Sequence, residues 1–291
     1  MASLEIHEPR SLEEAFDQLK DTDAIVRPMG GGTALMLMMK AQLFTPDRLV
    51  ALRGVGRNFV GFNLAADGSH FRIGALTTFA ELEHAPDIRR LLPVIPQTMK
   101  TLANARVRNV ATVGGNLAHG DPHLDLPPVW TALDAEVSII GPNGTRDIPV
   151  GELFAGYYET TLEADELIAE IRVPVKPGWR SAYVKITTRA AHDWPALGIS
   201  LSAKVDGRRI EDLRLVLSAC IDCQQRLSDA EDVLRGAEID DAVLARAGAA
   251  AVDEVHIESD SRGSAGYKKQ LLRVHLARAV KALIANALIG D

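Results

Sequence analysis

The sequence predicts an α+β protein in three successive parts, residues 1–56, 57–177 and 178–291, on three observations. The first part alternates a serine-capped helix with short apolar strands. The second changes to short runs separated by turns, the pattern of antiparallel hairpins. The third, beyond the proline-broken stretch Val175-Lys176-Pro177-Gly178, places three strand-like runs ahead of helical ones.

Taken in order, Ile6-His7-Glu8-Pro9 ends in a turn, and Ser11-Leu12-Glu13-Glu14 opens a helix: the serine caps it and the carboxylate three residues on completes the box. Ala24-Ile25-Val26-Arg27 reads as a strand leading into Gly30-Gly31-Gly32. The run Leu35-Met36-Leu37-Met38-Met39-Lys40 is apolar enough to predict a buried segment behind the glycines, and Leu49-Val50-Ala51-Leu52 is a second strand. Residues 59–64 and 71–74, split by Ala66-Asp67-Gly68-Ser69, form the hairpin, and helices follow at 79–84 and 88–98. After the polar, glycine-rich stretch 112–128 come strands at 135–140 and 166–174. In the third part, strands at 183–188, 197–205 and 213–219, with Val205-Asp206-Gly207-Arg208 as a hairpin turn, precede helices at 240–252 and from 266 or 267 to about 288. The stripe Leu271, Leu272, Leu276, Ala279, Val280, Leu283 and Leu288 on the last helix predicts that it packs on the strands.

Composition narrows the function classes. With 47% hydrophobic and 24% charged residues and a net charge of −7, the chain reads as a globular protein whose acidic surface does not attract nucleic acid or an anionic membrane. No basic, apolar and cleavage-site series marks a leader, and no run approaches the ~20 apolar residues of a spanning helix. A cytoplasmic location and no membrane insertion are the expectations. The two cysteines, Cys220 and Cys223, are too few for a disulfide framework or an iron–sulfur site.

Three consecutive glycines carry a conformational cost, and two readings of Gly30-Gly31-Gly32 stay open. One is a flexible surface loop. The other is a turn of bare N–H groups that receives a ligand's phosphates. The spacing is not that of the dinucleotide fingerprint, which disfavours a Rossmann domain. His119, Asp121, His123 and Asp125 alternate as metal ligands would on a strand, but Gly120 and Pro122 break any strand there, so the expectation is a ligand-contacting loop and no metal. Cys220-Ile221-Asp222-Cys223 has redox spacing without a thioredoxin-like setting, and a structural role is expected. No serine or cysteine sits in a nucleophile turn beside His192-Asp193. Trp194, next to that pair and before Pro195, leaves room for a flat ligand to stack.

Several of these segments together resemble the FAD-binding medium subunits of molybdenum hydroxylases, the group of carbon monoxide dehydrogenase and bacterial xanthine dehydrogenase. Met29-Gly30-Gly31-Gly32-Thr33-Ala34-Leu35 resembles the family's A-G-G-x-[ST]-L loop, and Thr112-Val113-Gly114-Gly115-Asn116-Leu117 its T-[IV]-G-G-N-[LI] loop. Asp125-Leu126-Pro127-Pro128, the spaced set Tyr183, Lys185, Arg189 and Asp193-Trp194, and residues 259–268 extend the likeness over nearly the whole chain. The resemblance implies a fold of the vanillyl-alcohol oxidase type: two FAD-binding subdomains, 1–56 and 57–177, then a small C-terminal α+β domain, 178–291, of the carbon monoxide dehydrogenase flavoprotein type. It places Arg27, Pro28, Met29, Gly30, Gly31, Gly32, Thr33, Ala34 and Leu35 around the pyrophosphate and Thr112, Gly115 and Asn116 on the second FAD loop. Asp125 falls on a ribose hydroxyl; Leu102, Ala103 and Ile168 line the cofactor; Lys185 stands near the flavin's pyrimidine edge and Trp194 against the isoalloxazine ring.

The implied function is that of an electron-transfer subunit of a heterotrimeric oxidoreductase. It takes electrons from [2Fe-2S] clusters in a small iron–sulfur subunit and passes them to an external acceptor, while a large subunit holds the molybdopterin; a dimer of heterotrimers is the expected assembly. Two other readings remain beside it: a free-standing FAD-dependent oxidoreductase, and a cofactor-free interaction subunit.

Overall fold

The computed structural model describes residues 4–289. Strands Glu5–His7, Arg48–Ala51 and Val26–Met29 form a parallel three-stranded sheet with Arg48–Ala51 in the middle. Helix Leu12–Leu19 begins at its predicted serine cap, the Ser11 hydroxyl accepting the Glu14 N–H, but the Glu14 carboxylate takes the Arg10 N–H in place of that of Ser11 and the box stays open. Its buried Ala15 and Leu19 pack with Val26 and Val50 on that sheet. This small core also takes in Leu167, from a strand of the next sheet, so the first part closes against the second.

The apolar run after the triple glycine forms helix Thr33–Lys40, and here the expectation of a buried segment fails: none of its residues is buried, and Leu37 is 63% exposed. The physical reason is prior occupancy. Helix Leu12–Leu19 supplies the helical side of the core beneath the sheet, and no residue of Thr33–Lys40 belongs to it.

The second part is an antiparallel five-stranded sheet in the order Phe62–Leu64, His70–Gly74, Leu167–Pro174, Glu136–Gly141, Gly144–Pro149. Helices Phe79–His84, Pro86–Leu91, Val94–Met99, Val113–His119 and Leu126–Ala132 surround its core, in which Trp130, Phe71, Phe79 and Met99 are fully buried. Each such side chain contributes about 1.5–3 kcal/mol relative to exposure. The polar, glycine-rich stretch 112–128 resolves into two short helices joined by a loop at 120–125, the second opening on Leu126-Pro127-Pro128.

In the third part, the three predicted strands form one antiparallel sheet, Trp179–Ile186, Leu197–Asp206 and Arg209–Ser218, which a two-residue strand, Gln225–Arg226, extends to four. Gly207 makes the predicted hairpin turn at φ +55°, a conformation glycine adopts without strain. Helix Ala265–Ile289 presses Leu272, Leu276, Ala279, Val280 and Leu283 into the core over this sheet; Leu271 is half-buried, and the Leu288 side chain lies outside the described residues. No helix among the described residues is long and apolar enough to cross a membrane.

Candidate functional site

The two glycine segments meet. Thr112 caps helix Val113–His119, its hydroxyl accepting the Gly115 N–H at 3.2 Å, and the same hydroxyl faces Gly30, where a Cβ would stand 2.6 Å away. A Cβ on Gly31 would come within 1.9 Å of the Val110 carbonyl oxygen. Those glycines are therefore bare first of all because backbone lies against backbone. Gly32 stands at φ +70° as the N-cap of helix Thr33–Lys40, which has no side-chain cap. The first-turn N–H groups, Thr33 to Leu35, thus have no acceptor within their own helix and form the electropositive end of its dipole. Thr112→Ala is expected to lower stability by about 1 kcal/mol through the lost cap, read as a lower midpoint in denaturant with an unchanged slope.

Beside this junction the Asn116 side-chain oxygen is buried with no hydrogen-bond partner. Such an atom costs free energy unless something donates to it. Leu102 and Ile168 are 7% and 9% exposed in the central core, and Ala103 holds a left-handed backbone at φ +46°. Arg108 steadies that turn by donating to the carbonyls of Leu102 and Ala103 while paired with Glu83. Arg27 stands apart: exposed, it lies over the Phe44 ring and donates to its own neighbour's carbonyl. Pro28 and Met29 are strand residues paired with Val50 and Ala51.

A second cluster lies where the 120–125 loop meets the third part. The Tyr183 hydroxyl and the Lys185 ammonium, both on strand Trp179–Ile186, donate to the two oxygens of Asp125 at 2.8 and 2.9 Å, and Lys185 also reaches the Thr101 carbonyl at 3.0 Å. Asp125 and Lys185 side chains are 7% and 5% exposed. Burial pushes the Asp125 carboxyl above the usual carboxylate range, with Lys185 and Tyr183 pulling it part of the way back; the Tyr183 hydroxyl is pushed up by burial and by the Asp125 charge. The Asp125 partners Tyr183 and Lys185 were not legible, because the sequence does not say that strand Trp179–Ile186 crosses this loop.

The alternating His119, Asp121, His123 and Asp125 do not converge. Asp125 turns to Lys185, Asp121 to His123, and the His119 ring meets Tyr158 edge-on. Among the described residues no group of three or more histidine, cysteine or acidic side chains could hold a metal ion. Burial pushes the Cys220 thiol up to about 12 and raises that of Cys223, so neither is primed as a thiolate. Trp194 is half-exposed, its ring stacked on His123 and under the Arg262 guanidinium, two neighbours the sequence did not reveal.

Glycine loops joined back to back, an uncapped helix terminus and an orphaned amide oxygen fit a phosphate-containing cofactor. This defines a cofactor-binding protein on an α+β frame, and comparisons with known proteins give the cofactor as FAD. The model of the FAD binding domain in molybdopterin dehydrogenase matches residues 2–176, and that of the CO dehydrogenase flavoprotein C-terminal domain matches residues 182–283. The chain is 32% identical to the carbon monoxide dehydrogenase medium chain of Afipia carboxidovorans over 98% of both chains, and 29% identical to the glyceraldehyde dehydrogenase medium chain of Sulfolobus acidocaldarius over 93% of this chain and 95% of that one. The crystal structure of Cu,Mo-CO dehydrogenase in its cyanide-inactivated form superposes with a TM-score of 0.90 at 32% identity, covering 98% of this chain and 99% of that one. The protein belongs to the family of FAD-binding medium subunits of molybdenum hydroxylases, the carbon monoxide dehydrogenase and xanthine dehydrogenase group.

Proposed function

We propose that this chain is the electron-transfer subunit of a heterotrimeric molybdenum hydroxylase: it receives electrons from [2Fe-2S] clusters of a small partner subunit and delivers them to an external acceptor, while a large partner holds the molybdopterin. In this reading residues 1–56 and 57–177 are the two FAD-binding subdomains and 178–291 the C-terminal domain. The observation that carries it is the junction of Gly30 and Gly31 with Val110 and Thr112, beside the unpartnered Asn116 oxygen. First-turn N–H groups from Thr33 to Leu35 would hold the pyrophosphate; the Gly115 and Asn116 N–H groups already donate to Thr112, so the second loop would close on the cofactor through the Asn116 side chain, whose oxygen has no partner. Leu102, Ala103 and Ile168 exclude water from the cofactor. Lys185, fixed by Asp125 and the Thr101 carbonyl, presents a cation to the flavin's pyrimidine edge, and Trp194 faces the ring. When bound, FAD supplies both one- and two-electron redox chemistry, the property that lets such a subunit link iron–sulfur clusters to a two-electron acceptor.

The test is the visible spectrum of the chain purified with whatever accompanies it. Near-stoichiometric flavin absorbance, together with co-purifying iron–sulfur and molybdenum subunits as a dimer of heterotrimers, is the expected result. Full flavin content in a chain that travels alone and turns over a substrate would make it a free-standing oxidoreductase. A colourless chain that still assembles would make it an interaction subunit.

A further inference from the structure

The loop at 120–125 holds a second device that the flavin site does not require. Asp121, 3% exposed, accepts both the backbone N–H of His123 at 2.9 Å and its ring Nδ1–H at 2.8 Å on a single oxygen. Burial opposes the Asp121 charge, but these bonds and the neighbouring imidazole outweigh it and hold the carboxyl below its usual range. Nδ1 donates to Asp121, and Nε2 stands 3.4 Å from the Arg262 guanidinium, from which it accepts when it carries no proton. The imidazole is thus gripped at both nitrogens.

Its face is spent on Trp194. The two rings are parallel to within 17° with centroids 5.7 Å apart, and the Arg262 guanidinium lies 5.6 Å from the centre of the same indole. Arg262 is itself anchored. Its turn is closed by Asp260, which accepts the Arg262 backbone N–H at 2.8 Å and the ammonium of the 2%-exposed Lys268 at 2.8 Å. The loop that carries Asp121 is pinned in turn by the Ala219 N–H on the Pro122 carbonyl and the Tyr158 N–H on the Gly120 carbonyl. A half-exposed tryptophan on a loop would otherwise sample several rotamers. Here separate segments of the chain converge to hold one ring in one pose.

We infer that His123 is a positioning residue for Trp194: clamped between Asp121 and Arg262, its imidazole sets the plane of the indole and through it the environment of the flavin face. The inference rests on the FAD reading for its last clause only. The pose of Trp194 is a property of the chain itself, so the two fail separately.

The experiment is a double-mutant cycle on the full chain, with and without FAD. Acrylamide quenching, with the Trp194 contribution isolated by difference from Trp194→Phe, reads the indole's exposure. In His123→Ala the freed ring is expected to be open in roughly two- to tenfold more molecules, the ratio sustained by an aromatic pair of ordinary strength. With FAD bound, His123→Ala should change flavin fluorescence at unchanged FAD content, and the change should vanish in the Trp194→Phe background. Arg262→Gln, at a more exposed position, should act in the same direction and serves if His123→Ala does not fold. Unaltered Trp194 quenching in folded variants overturns the inference. So does a flavin fluorescence change of equal size in the Trp194→Phe background, because His123 then acts without the indole. A chain that holds no FAD at all defeats the FAD reading, and quenching still decides the clamp.

Discussion

Gly31→Ala is expected to abolish flavin retention. The added methyl would stand 1.9 Å from the Val110 carbonyl oxygen, with the Val110 carbon at 2.6 Å and the Ala111 Cα at 3.1 Å, so no flexible side chain can give way. Backbone must move instead, and overpacking of that kind costs about 3 kcal/mol or more. The cost falls on the seam between the two loops rather than on either core, because Gly31 belongs to neither apolar cluster. The chain should therefore remain folded by circular dichroism while losing its yellow colour on gel filtration. Gly32→Ala is the useful contrast: its φ of +70° strains the new residue, yet its nearest neighbour is the flexible Met29 sulfur at 3.0 Å. A milder loss of affinity is expected there. If Gly31→Ala keeps its flavin, the two loops do not have to touch for the site to form.

This prediction marks where the sequence stopped. That Gly30-Gly31-Gly32 and the 112–116 loop lie together was legible from the likeness of both to family motifs. The reason for the bare backbone was not. From sequence the glycines make room for phosphates; in the structure Gly30 and Gly31 first make room for Thr112 and Val110. Sequence shows how much space a residue leaves and says nothing of which neighbour fills it. The apolar run 35–40 fails for a related reason. Periodicity reports that a segment is apolar, whereas burial depends on whether another element already covers the sheet, and helix Leu12–Leu19 does. Local signals fared better: the Ser11 cap, the hairpin turn at Gly207 and the stripe of the last helix from Leu271 to Leu283 depend on residues a few positions apart and stand as read. The His119 to Asp125 alternation shows the opposite limit, since His119 and Asp125 meet Tyr158 and Lys185 from distant segments, while Asp121 turns to His123 two residues on.

Asp125→Ala carries the other large effect, and it is expected to act on stability as well as on the cofactor. Read from sequence, Asp125 faces a ribose hydroxyl and its loss would weaken FAD alone. In the structure both carboxylate oxygens already serve Tyr183 and Lys185, and the ammonium has only the Thr101 carbonyl besides. Truncating one member of such a buried pair leaves the other charge uncompensated, at a cost of about 3–5 kcal/mol. The denaturation midpoint of the FAD-free chain should fall accordingly. Asp125→Ala combined with Lys185→Met removes both charges and should recover most of that loss, because the apolar stem replaces a cation that no longer has a partner. Flavin affinity should not recover with it, since the double variant offers neither the carboxylate nor the cation. Calorimetry on the FAD-free chain and FAD titration of the same samples separate the two quantities. Full recovery of both would mean that the pair only holds strand Trp179–Ile186 to the 120–125 loop; recovery of neither would mean that Asp125 acts independently of Lys185.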